Sequence, residues 1–245
     1  MLLTILQAAH VADAIRFGTV CASWRAAYEV FRRHRLPSPR QPPCLLYASD
    51  GAGPGVAALH CAATAAALRI PFPRAPLARR PLLGSGHGWL VTADEASNLH
   101  LLNPVTGAQA ALPPITALHH VESFTDEQGN PMYNVSENTN GDKEPTDLEP
   151  HRAHQFMYYR VVLSASPSAG RACVVLLLHR PHGEVSFARL GGERWTWVPP
   201  GDDTGLRWRY GYGNAMYRAV DGLFYLLQLD ASMFSFDTLT GVFLF

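Results

Sequence analysis

Gly88-Trp-Leu-Val-Thr92 followed by Leu99-His-Leu-Leu-Asn-Pro-Val-Thr-Gly107 decides the fold, because the same pattern returns 134 residues later. The second copy reads Gly222-Leu-Phe-Tyr-Leu226 and then Met233-Phe-Ser-Phe-Asp-Thr-Leu-Thr-Gly241. Gly88 aligns with Gly222, Leu102 with Phe236, Asn103 with Asp237, Thr106 with Thr240 and Gly107 with Gly241, without a gap. Each copy is a short apolar strand, a polar turn, a second apolar strand and an Asn/Asp-x-x-Thr-Gly reversal, the signature of a hairpin that turns again. The offset holds three units of roughly 45 residues, the pitch of a β-propeller blade.

Away from the repeat, composition bounds the answer. Of the 245 residues, 47% are hydrophobic and 16% charged, which describes a packed chain and excludes a disordered one. The net charge of zero hides two blocks. Residues 1–81 set ten Arg against Asp13, Glu29 and Asp50 for a net +7, and residues 122–149 set eight acidic groups against Lys143 for −7. The basic block is full of Pro and Ala and lacks interleaved aromatics, so it does not read as a nucleic-acid surface. Cys21, Cys44, Cys61 and Cys173 have no close spacing and read as free thiols of a reducing compartment. Met1-Leu-Leu-Thr-Ile-Leu-Gln-Ala-Ala9 lacks a basic leader and reads as a helix start rather than a signal peptide. The run Ala172–Leu178 is too short to span a bilayer. The expected location is cytoplasmic or nuclear, with no membrane partner.

Three segments follow. Residues 1–35 are helical by period, with Phe17, Val20, Cys21, Trp24, Tyr28 and Phe31 on one apolar face and Asp13 as N-cap. Residues 36–43, Leu-Pro-Ser-Pro-Arg-Gln-Pro-Pro, form a stiff linker that cannot continue a helix. Residues 44–245 are short β-like runs separated by turns, an all-β meander. Two exceptions stand out: Ala62–Leu68 reads as helical, and the acidic, Asn- and Gly-rich stretch within 122–154 reads as a long surface insertion.

Ala12-Asp-Ala-Ile-Arg-Phe-Gly-Thr-Val-Cys-Ala-Ser-Trp-Arg-Ala-Ala27 resembles the second half of an F-box. The downstream phrases Gly84-Ser-Gly-His-Gly-Trp-Leu-Val-Thr92, Leu112-Pro-Pro114, Tyr159-Arg-Val-Val-Leu-Ser164, Glu193-Arg-Trp-Thr-Trp197 and Asp221-Gly-Leu-Phe-Tyr225 resemble the kelch-like propeller of a plant family, the domain of unknown function 295. The resemblance implies an incomplete kelch-like β-propeller preceded by a short α-helical F-box remnant. It implies a chain shortened at both ends, beginning inside the first F-box helix and stopping in a strand at Val242-Phe-Leu-Phe245. It also implies a substrate-recognition adaptor of a Skp1–cullin–F-box ubiquitin ligase. The Skp1-docking positions would be Ile15, Phe17, Val20, Cys21 and Trp24, and the propeller would hold an unidentified target protein.

Chemistry is sparse. His151-x-x-His154 and His179-x-x-His182 have ligand-like spacing but no convincing third ligand, and they read as scattered surface histidines. Gly84-Ser-Gly-His-Gly88 matches neither a phosphate loop nor a nucleophile elbow and reads as a tight turn entering a sheet. Trp89, Trp195 and Trp197 lie within strands and read as packing residues. Arg207-Trp208-Arg209-Tyr210-Gly-Tyr212 alternates cation and aromatic in a loop, the composition of an interaction hot spot, with a buried edge of the propeller as the equal alternative. No cofactor or metal motif emerges, and the chain reads as non-enzymatic. The competing classes are a stand-alone propeller binding module and a hydrolase or metal enzyme built on the histidines.

Overall fold

The computed structural model describes residues 1–9, 11–34, 44–48, 56–62, 65–71, 81–104, 107–136, 145–181, 183–199 and 211–244. They fall into two compact units, Met1–Arg79 with Pro104–Gly107, and Arg80–Asn103 with Ala108–Phe245.

The first unit holds helices α1 (Leu2–Ala8), α2 (Val11–Val20) and α3 (Ala22–His34), and a sheet of strands β1 (Cys44–Ala48), β2 (Val56–Cys61) and β3 (Ala66–Pro71) in that order. The helical expectation for residues 1–35 holds, but the apolar face is divided at Cys21, where α2 ends and α3 begins. The two helices close on each other at Gly18, where an added Cβ would lie 2.7 Å from the Tyr28 ring. Arg25 Nε donates to the Gly18 carbonyl at 3.2 Å across the same contact. Asp13 does not cap α2; it sits in the first turn and pairs with Arg16 at 3.3 Å. The helical expectation for Ala62–Leu68 is overturned. A seven-residue Ala-rich run is too short to hold a helix alone, and Ala65 turns the chain at φ 52° so that β3 pairs antiparallel along the whole of β2. The Pro-rich linker lies outside the described residues. Among the described residues no helix is long and apolar enough to cross a membrane.

The second unit is a succession of antiparallel meanders. The first sheet orders β4 (Leu82–Gly86), β5 (Trp89–Ala93), β6 (Leu99–Leu102) and β7 (Gln109–Ala111). The next orders β8 (Val121–Thr125), β9 (Pro131–Val135) and β10 (Thr146–Leu148), followed by helix α4 (Pro150–Met157). The third is β11 (Tyr158–Leu163), β12 (Val174–His179), β13 (Glu184–Arg189) and β14 (Thr196–Val198). The fourth is β15 (Tyr212–Arg218), β16 (Leu223–Gln228), β17 (Met233–Asp237) and β18 (Val242–Leu244). The repeat therefore joins the first sheet to the fourth, three steps apart, as its spacing predicts.

The correspondence extends to register. Leu90 faces Leu102 in the first copy and Phe224 faces Phe236 in the second; Ala93 faces Leu99, and Leu227 faces Met233. The turns match as well: Asp94 N donates to the Asn98 carbonyl and Gln228 N to that of Ser232, with Ser97 and Ala231 both at positive φ. The Gly84–Gly88 phrase is a strand and its turn. His87 and Gly88, at φ 52° and 77°, form the two-residue link between β4 and β5. Gly84 lets β4 approach β11, since a Cβ there would sit 2.6 Å from the Val161 carbonyl oxygen.

The acidic stretch, read from its composition as a long surface insertion, carries regular structure of its own. Outside residues 137–144, which are not among those described, it pairs as β8–β9–β10. Asp126 organises the β8–β9 turn by accepting from the Gln128 and Asn130 amides at 3.0 and 2.7 Å. Tyr133 and Val135 turn inward, and the Tyr133 hydroxyl donates to the Ala96 carbonyl at 2.9 Å. Glu122, Asn134 and Asp147 lie side by side on the opposite face, so part of the polar composition marks one face of a sheet. Strand β12 divides two cores. Val175 and Leu177 join Val91, Leu101 and Met157 on one side, and Val174, Leu176 and Leu178 join Phe224 and Phe236 on the other. That is why β12 is apolar at consecutive positions.

Candidate functional site

Among the described residues, two places bring chemistry-bearing residues together. The first is the junction of α2 and α3. The rings of Phe17 and Trp24 meet at 4.7 Å, both half-buried. Val20 is 63% exposed and Cys21 is exposed. The helix break thus leaves an apolar Val-Cys pair in solvent, close in sequence to an aromatic pair. The Ile15 side chain lies outside those described.

Arg207, Trp208, Arg209 and Tyr210 also lie outside the described residues. Tyr212, grouped with them by sequence, is 8% exposed; its ring meets Phe234 edge-on at 6.2 Å and its amide donates to the Gly183 carbonyl. It is a packing tyrosine, because in β15 its side chain turns into the core between sheets. Trp89 is buried as its strand position predicts; Trp195, just before β14, is buried as well, and its indole donates to the Pro113 carbonyl at 3.1 Å.

His151 and His154 lie on α4. His151 is exposed beside Glu149, whereas His154 Nδ1 is 3.3 Å from the buried Ser97 hydroxyl. That pair is not an activated nucleophile. Ser97 Oγ donates to the Pro150 carbonyl and accepts from the His154 amide at 2.8 Å, so its proton is already held by backbone. Ser97 instead ties the first turn of α4 to the β5–β6 turn.

The second place is a buried cluster in the second unit. The turn before β8 supplies His119 and His120; β12 ends in His179; β13 begins with Glu184 and carries Ser186; β14 supplies Trp197. His119 Nε2 lies 3.3 Å from a Glu184 carboxylate oxygen, and the Nδ1 atoms of His119 and His120 lie 3.4 Å apart. His119 stacks on Trp197 at 4.3 Å and His120 on His179 at 5.1 Å. His179 is fixed at both nitrogens. Nδ1 donates to the Arg180 carbonyl at 2.6 Å, and Nε2 accepts from Ser186 Oγ at 2.8 Å.

The electrostatics follow from burial. Desolvation pushes the Glu184 carboxyl up to about 7, with the nearby Trp197 indole acting the other way. Burial, then the His179 and His119 rings, hold His120 down to about 3, and burial holds His179 down to about 4. The sequence reading missed this site. It weighed His179 against His182, which lies outside the described residues, and passed over the His119-His120 doublet, whose partner Glu184 is 64 residues away. The visible signal was the doublet itself.

Among solved structures, this fold is similar to a complex of KlAtg21 with the coiled-coil of AgAtg16, at 9% identity and TM-score 0.38, covering 82% of this chain and 64% of that one. A complex of the fission yeast SREBP-SCAP binding domains is similar at 12% identity and TM-score 0.31, covering 85% and 62%. The Cps50 (Swd1) beta-propeller domain of Myceliophteria thermophila is similar at 10% identity and TM-score 0.31, covering 82% and 68%. The chain thus spans less than two thirds of the length of the first two structures. No curated protein sequence matches. The sheet-by-sheet meander and the blade-pitch repeat agree with one family match that runs over residues 59–242, and the chain belongs to the KIB1-4 beta-propeller family.

Proposed function

We propose that this chain is a non-enzymatic recognition adaptor of a Skp1–cullin–F-box ubiquitin ligase, working in the cytoplasm or nucleus. Its helices engage a Skp1-like subunit and its propeller holds a target protein. An adaptor of this kind makes and breaks no bonds. It raises the concentration of the target beside the transferring enzyme. Ile15, Phe17, Val20, Cys21 and Trp24 are the docking positions, and Arg207 to Tyr210 are the candidate target contacts.

The observation that carries the reading is the exposed Val20-Cys21 pair at the break between α2 and α3, beside the Phe17–Trp24 stack. A packing role alone would bury those side chains, whereas a partner interface needs apolar groups held outward on rigid elements.

The test is a pull-down of the full chain with purified Skp1, beside Val20→Asp and Trp24→Ala. Val20→Asp alters an exposed position, so it should abolish capture while leaving the thermal melt unchanged. A folded wild-type chain that fails to capture Skp1 would remove the ligase role and leave a stand-alone propeller binding module.

A further inference from the structure

We propose that His119, His120 and Glu184 form a binding site for one divalent first-row transition ion, of which Zn²⁺ is the best fit. The inference is independent of the adaptor reading, since all three residues lie in the second unit.

One ligand atom from each of the three lies within 4.8 Å of the others. Tetrahedral zinc with ligand bonds of about 2.0–2.1 Å sets neighbouring ligand atoms about 3.3–3.4 Å apart. The His119 Nε2 to Glu184 separation of 3.3 Å already meets that requirement. His120 has at most about 1.5 Å to close, the difference between that bound and the zinc spacing, within reach of its side-chain torsions.

The second argument is the state of Glu184. Its side chain is 0% exposed, and neither carboxylate oxygen makes a well-formed hydrogen bond among the described residues. The Nε2 atom of His120 is likewise buried without one. A buried carboxylate and a buried imidazole nitrogen without partners are costly unless something else satisfies them. A buried carboxyl with only the Trp197 indole and the His119 ring beside it, facing imidazole nitrogens, is the arrangement that a cation completes.

The surrounding residues suit that role. His179 cannot be a ligand, because both its nitrogens are committed to Arg180 and Ser186. Stacked at 11° to the His120 ring, it instead fixes that ring's orientation, as outer-shell partners of metal ligands do. Trp197 similarly backs His119. The Arg180 guanidinium lies over the Phe156 ring at 3.9 Å. His119 remains about one third exposed, which gives an ion a way in and leaves a coordination position facing solvent. Two imidazoles and one carboxylate favour zinc and its neighbours over calcium or magnesium, which require sets of oxygen ligands.

The experiment uses the full chain, stripped with a chelator and dialysed against ZnCl₂. Metal content is then measured, followed by calorimetric titration and a Co²⁺ visible spectrum. One equivalent of zinc should remain, and Co²⁺ should give the intense d–d absorption of a tetrahedral site. Glu184→Gln keeps the shape of the side chain and removes its charge. It should fold as the wild type does and bind zinc at least about 100-fold more weakly, since losing a ligand costs no less than the upper end of losing an outer-shell partner. His119→Ala should do the same, and His151→Ala, on exposed α4, should change nothing. A folded wild-type chain without a stoichiometric ion would overturn the proposal. So would an ion held equally well by Glu184→Gln, or one lost in His151→Ala.

Discussion

The two copies of the repeat share strand register, turn hydrogen bonds and even the position of a non-glycine residue at positive φ, yet the first is covered on both faces and the second on one. In the first copy Trp89, Val91, Ala93, Leu99 and Leu101 point into a core. In the second, the matching positions Leu223, Tyr225, Leu227, Met233 and Ser235 are half-buried or exposed, and only the alternate face, Phe224, Leu226 and Phe236, is buried, as Thr92 and Leu102 are on that face of the first. Register within a hairpin is set by its turn and by adjacent pairs. Which face is covered depends on the sheet that lies against it. The comparison separates what a hairpin settles for itself from what its neighbours impose.

Leu99 and Met233 give the sharpest break in that comparison. They align, but Leu99 is 1% exposed and Met233 is 60% exposed. Leu99→Ala should cost about 2–5 kcal/mol, whereas Met233→Ala should stay within about 0.5 kcal/mol, as surface changes do. Urea unfolding of both variants checks it, and similar losses would mean that the last sheet is covered in solution. Gly84 aligns with the exposed Arg218. Gly84→Ala places a Cβ against the Val161 carbonyl, and should cost about 1–3 kcal/mol by overpacking; Arg218→Ala, despite its contact with Asp221, should cost much less, because solvent screens an exposed ion pair. Paired melts would show the difference.

A smaller effect concerns association. Met216, Leu227 and Met233 line one exposed apolar face of the last sheet. Leu227→Lys with Met233→Lys should leave the melt almost unchanged and reduce concentration-dependent light scattering. The smallest effect is one of pH, at Asp94, whose match in the second copy is the uncharged Gln228. Burial raises the Asp94 carboxyl, but the His100 ring and the Asn98 and Ala96 amides, at 2.8–2.9 Å, more than offset this and hold it below its ordinary 3.8. As pH falls, the unfolded chain takes up its proton first. The contribution is therefore present above about pH 3.8 and is lost below it. Acid unfolding of Asp94→Asn against wild type should show a shallower decline in the variant.

The candidate sites were legible to different degrees. The α2–α3 positions stood out because the Val-Cys and Trp-Arg phrases are contiguous, and helical period placed Phe17 and Trp24 together. Tyr212 was misread because Arg-Trp-Arg-Tyr-Gly-Tyr reads as a loop up to its last residue, where strand β15 begins and the ring turns inward. The acidic stretch was misread because alternation along β9 is masked by polar residues on its outward face.

By itself, the sequence determined the class of fold, the blade-pitch repeat and the limits of strands such as β1, β2, β6 and β11, because strand alternation, turn residues and positive-φ positions act over a few neighbouring residues. Only the tertiary structure decided which face of each repeat is buried, that Gly84 serves a close approach of two strands, and that His119, His120 and Glu184 meet. Each of these depends on side chains brought together from separate sheets, and contact across such distances leaves no period or spacing in the chain to be read.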